Sequence, residues 1–167
     1  MDSVNLAATG GFAEIISFVG NFLVLLIVAG AFFFFALRAG RAAFITLVMS
    51  LYAGFALFTL FPYTKLLSGD SAMTVFVANS IVFGVLTFFP YVLLRRVSTS
   101  GNIHIPGLFL AGLSFLAAGL LLAIGYHVLS LSAAIPLTPS LSALFAPDSY
   151  FFWWFAAPLV GIFLTAR

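Results

Sequence analysis

Cysteine is absent from the 167 residues. Disulfides, thiolate metal sites and cysteine nucleophiles are therefore excluded. Charge is nearly absent too. Six Lys and Arg and four Asp and Glu amount to 6% of the chain, against about a quarter in a soluble domain. So few charges cannot cover a water-facing surface, so lipid must be the main solvent. The net charge of +2 gathers into no basic patch, and no basic–aromatic interleaving appears. Nucleic acid is excluded as a partner on that ground. Also missing are His-x-x-x-His, HExxH, a Gly-rich phosphate loop and GxSxG. Ser114 and Ser130 have no matching base. The reading is that the chain is not an enzyme and holds no metal or cofactor.

What remains is apolar. Hydrophobic residues reach 64%, 22 of them phenylalanine, and mean hydropathy is +1.28. Residues 1–14 contain no Lys or Arg, whereas a secretory signal opens with basic residues. The apolar run that follows is therefore expected to be retained. Residues 1–14 are read as a short interfacial segment, with Gly10-Gly11 as a break in it. About 20 apolar residues cross a bilayer. The chain is expected to be all-α, a polytopic transmembrane helix bundle of one domain over 1–167. Its spans are expected at about 15–37, 42–61, 72–94, 107–131 and 150–166. Thr138-Pro139 reads as an N-cap followed by proline at the first helical position. A short interfacial helix is expected over 139–145. Pro90 should kink the end of the third span. The last run is the shortest and holds Pro158, so the alternative is four spans with 150–166 at the interface.

The few charges orient this arrangement. Arg38, Arg41, Arg95, Arg96 and Arg167 fall on one side of a five-span chain, and Lys65 on the other. Basic residues near span ends stay in the cytoplasm, so the N-terminus is expected outside and the C-terminus inside. These five arginines also suit anionic lipid headgroups. Tyr63, Tyr126, Tyr150, Trp153 and Trp154 fall near outer span ends and Tyr91 near an inner one, as an aromatic belt requires. Only Tyr52 sits mid-span. The short link at Arg38–Arg41 is expected to make the first two spans antiparallel neighbours.

Helices associate in lipid through small residues and polar contacts. The fourth span is expected to be central. Gly107, Ala111, Ser114, Ala118 and Gly125 form a stripe on it, with Gly112 and Gly119 beside them. Ser50/Gly54, Ser80/Gly84 and Ala157/Gly161 have the small-xxx-small spacing. No Asp, Glu, Lys or Arg lies inside a span, whereas pumps and proton relays keep ionisable groups at depth. Asn21 and Asn79, with Ser80, are the interior polar residues to watch. They either bond across helices or line a polar path. His127, near an outer end, is expected to be solvated, and His104 has no second metal ligand nearby.

The link Ala36-Leu37-Arg38-Ala39-Gly40-Arg41-Ala42-Ala43-Phe44, between one span and the next, resembles the start of small bacterial membrane proteins of the CvpA (colicin V production) type. The resemblance extends loosely into the glycine-rich fourth span. It departs at Gly112-Leu113-Ser114-Phe115, where no arginine stands nearby, and in the added fifth span. It implies a multi-pass protein of the bacterial inner membrane, associated with bacteriocin production or envelope homeostasis, and carries over no catalytic residue. The expected function is thus structural: support of an envelope or secretion process, with the bilayer and a second copy or another membrane protein as partners. The alternative is a channel or permease subunit acting as an oligomer.

Overall fold

The computed structural model describes residues 2–62, 71–97, 106–134 and 138–165, with side chains described from Val19 onward and not at 165. Lys65, Tyr63, His104 and Arg167 lie outside the described residues, as do the side chains of 1–14. Among the described residues the chain forms seven helices: α1 (Asp2–Ala39), α2 (Arg41–Thr59), α3 (Ala72–Val97), α4 (Gly107–His127), α5 (Leu131–Ala134), α6 (Pro139–Phe145) and α7 (Asp148–Thr165). Four of them are long and apolar enough to cross a membrane: Val19–Ala39 of α1, then α2, α3 and α4. The chain has the build of a multi-pass helical membrane protein.

Two boundaries differ from expectation. Gly10-Gly11 does not break α1, which runs unbroken from Asp2 to Ala39. A glycine inside a helix costs about 1 kcal/mol, too little to interrupt a helix this long. The fourth span stops early, at His127, and Ser130 turns the chain into α5 with φ 62°.

α1 and α2 are separated by Gly40 alone. The two helices touch far less than α2 touches α3 or α1 touches α4. Their link of one residue is shorter than the roughly 2–5 usual in a helical hairpin, and each helix packs more fully on another neighbour. Phe32 and Phe44 meet edge to face close to the link, with centroids 6.2 Å apart.

α2 and α3 run antiparallel: Gly54 lies against Thr87, and Phe58 against Phe83. Arg95 and Arg96 at the end of α3 therefore share one end of the bundle with the Arg38–Arg41 link. We call this the basic end. α4 is the central helix. It packs on α1, α2, α5, α6 and α7 and buries more of itself than any other span. Its small residues make this approach possible: Ala117, Ala118 and Ala123 are fully enclosed. The small-residue stripe faces inward only from Ser114 onward, because Gly107, Ala111 and Gly112 are exposed.

α7 runs antiparallel to α4 along its length. His127 meets Phe151 at one end, Trp154 covers Gly119, and Gly161 approaches Leu113 and Leu116. At the basic end Leu164 shares a groove with Leu108. The 18 residues of α7 rise about 27 Å at 1.5 Å each. α6 forms where expected. Its Leu141 and Phe145 are buried and its N-cap is Thr138, but Thr138 makes no capping bond.

Candidate functional site

The polar side chains inside the bundle turn onto the chain's own backbone. Thr46 donates to Ala42 O, Ser50 to Leu47 O and Ser114 to Leu110 O, at 2.9, 2.6 and 2.8 Å. Each hydroxyl thereby satisfies itself within one turn, as apolar surroundings demand. Ser80 Oγ and Thr87 Oγ1 are the exceptions: both are buried and have no hydrogen-bond partner among the described residues. Thr87 Oγ1 fills the position where a Cβ on Gly54 would stand.

The anticipated site residues do not converge. Asn21 is half-buried in α1, and its carbonyl accepts a 2.7 Å bond from the Thr138 hydroxyl. That bond is where the hydroxyl expected to cap α6 goes. Asn79 is buried in α3, 9% exposed, beside Ser80. Gly112 borders an apolar groove of about 490 Å³ between α4 and α7, together with Leu108, Leu116, Gly161 and Leu164. Gly119 meets the Trp154 ring, with no room for a side chain. Arg38 is exposed and Arg41 half-buried at the link. Arg95 and Arg96 are both exposed. Arg95 Nη1 donates to Tyr91 Oη at 3.2 Å, and its guanidinium lies 5.8 Å from the Tyr91 ring centroid.

Three sites escaped the sequence reading. The first is Tyr52, whose hydroxyl donates to Phe155 O across the α2–α7 contact at 2.6 Å. Its ring lies edge-on to Phe155, with centroids 4.7 Å apart. The available signals were a lone mid-span tyrosine and Pro158 in a partner helix. The second is Trp154. It was expected in an interfacial belt, yet its ring packs on Phe145 and Phe115 at mid-helix, and Nε1 donates to Leu144 O at 3.4 Å. Trp153 alone points outward, 66% exposed.

The third is His127, which is enclosed rather than solvated, its side chain 18% exposed. Nε2 lies 2.8 Å from Phe145 O. A carbonyl only accepts, so Nε2 carries its hydrogen. Nδ1 faces the exposed Asp148 carboxylate at 3.6 Å, and Phe151 stacks edge-on at 4.9 Å. One imidazole thus ties the end of α4 to the α6–α7 corner. Among the described residues no three metal-ligating groups come together.

Comparison with known proteins found no match among family models, curated proteins or solved structures.

Proposed function

We propose that this chain is a membrane-embedded interaction protein. It acts by contact with a second copy or another membrane protein, in support of an envelope or secretion process in a bacterial inner membrane. It works without catalysis or cofactor. The observation that carries the reading is the use made of polar groups at depth. Thr46, Ser50, Tyr52 and Ser114 are all spent on the chain's own carbonyls, which stiffens the bundle and leaves its outward faces for association.

In this reading α7 is a fifth span, supported by its course alongside α4 from His127 to Leu108. Five spans put Arg38, Arg41, Arg95, Arg96 and Arg167 on one side, which the positive-inside rule makes cytoplasmic, with the N-terminus outside. A C-terminal reporter active only in the cytoplasm should give signal; silence in a stable fusion would leave four spans. Purification in mild detergent should yield an oligomer or a co-purifying membrane protein. A lone monomer would reject the interaction role.

A second reading, a channel or permease subunit, draws on the unpartnered Ser80 hydroxyl next to buried Asn79. It requires liposome flux that Asn21→Leu and Asn79→Leu abolish.

A further inference from the structure

We propose that one anionic glycerophospholipid binds in the groove beside α3, an acyl chain along the groove and its phosphate on Arg95. The groove has a volume of about 380 Å³ and lies between α3 and residues of α1, α2 and α4, among them Phe35, Leu47 and Leu121. Its floor is a strip of α3 made of Phe83/Gly84, Thr87/Phe88 and Tyr91. These positions recur at successive turns, so the strip follows the helix axis for about 12 Å. Gly84 keeps it open, since a Cβ there would meet no atom within 4 Å. Gly84 and Phe88 are both exposed, so a chain can enter sideways from the bilayer. The weak contact between α1 and α2 leaves room for the groove.

One turn beyond Tyr91 stands Arg95. Its bond to Tyr91 Oη and its approach to the Tyr91 ring hold the guanidinium at the groove's end. Tyr91 takes one of five guanidinium N–H groups, and the others suit a phosphate, which arginine grips through two parallel bonds. An apolar trough ending in a fixed cation complements a molecule with an apolar tail and one anionic head. A neutral hydrophobe would leave Arg95 unused, and a free anion would leave the trough empty.

The test is native mass spectrometry of the full chain in mild detergent, titrated with phosphatidylglycerol or phosphatidylcholine of equal chain length. One bound phosphatidylglycerol is expected, favoured about fivefold over phosphatidylcholine. Arg95→Gln should keep a bound lipid and lose the preference, while Arg96→Gln should keep both. Gly84→Leu, which fills the trough, should lose either lipid, and Gly84→Ala should bind as the parent does. Equal binding of the two lipids by the parent chain, or undiminished binding by Gly84→Leu, would overturn the proposal. So would a lipid-free dimer joined through α3.

Discussion

The Tyr52 hydroxyl donates a 2.6 Å hydrogen bond to Phe155 O, three residues before Pro158. Pro158, fully buried, brings no N–H and crowds the preceding turn. A proline inside an apolar helix is tolerated where a neighbouring helix offers the loosened backbone a partner, and here α2 offers this hydroxyl.

Tyr52→Phe should therefore loosen α7 from α2 while keeping the ring contacts with Phe155. The expected loss is about 0.5–1.5 kcal/mol, the range of one interhelical hydrogen bond. Unfolding in mixed micelles measures it. Pro158→Ala restores an N–H in the turn beside Phe155 and should lessen the cost of Tyr52→Phe. An undiminished cost in that background would show that Tyr52 does not offset the proline.

Gly119 and Trp154 form a second coupled pair. A Cβ on Gly119 would collide with the indole, so Gly119→Ala should cost about 1–3 kcal/mol through overpacking. Trp154→Leu alone opens a cavity and should also destabilise. The double variant should be more stable than the sum of the singles predicts, by at least about 0.5 kcal/mol in a double-mutant cycle. Additive costs would mean that the two side chains do not share the space.

How much of this was legible in advance follows from the kind of signal each feature left. The spans could be read because apolar length is itself the physical requirement for crossing lipid. The central place of α4 could be read because only small side chains let several helices approach one. The course of α7 alongside α4 rests on contacts that no local pattern encodes. Trp153 and Trp154 are neighbours of equal propensity, and the cleft at Gly119, 35 positions earlier, decides which one turns inward. α1 and α2 do touch, as their short link led one to expect, but loop length does not say that each packs more fully on another helix, α1 on α4 and α2 on α3. His127 looked like a solvated interfacial residue because its partners, Phe145 O and Asp148, come from a corner that only the fold brings back.

That corner yields a third test. His127→Ala removes the donor to Phe145 O and the contact with Phe151. Exposure of the α6–α7 junction to hydrogen exchange should rise, with α1 and α3 unaffected. His127→Gln keeps a donor of similar reach and should restore part of the protection. Equal exchange in all three chains would show that the imidazole holds nothing.

The Arg38–Arg41 link combines two separable properties within four residues. Gly40 has φ 94° and ψ 157°, a region closed to side chains with a Cβ. Gly40→Ala meets no neighbouring atom, so any cost is conformational, about 1–3 kcal/mol. Orientation should not change, because the arginines remain to hold the link on one side. The double replacement of Arg38 and Arg41 by Ala should do the reverse. The backbone of the link then keeps its glycine, and the folded bundle should lose little stability, but a fraction of chains should insert upside down. Glycosylation or reporter mapping separates the two variants. Uniform topology in the double arginine variant, together with a loss of stability like that of Gly40→Ala, would mean that the arginines stabilise the turn rather than orient the chain.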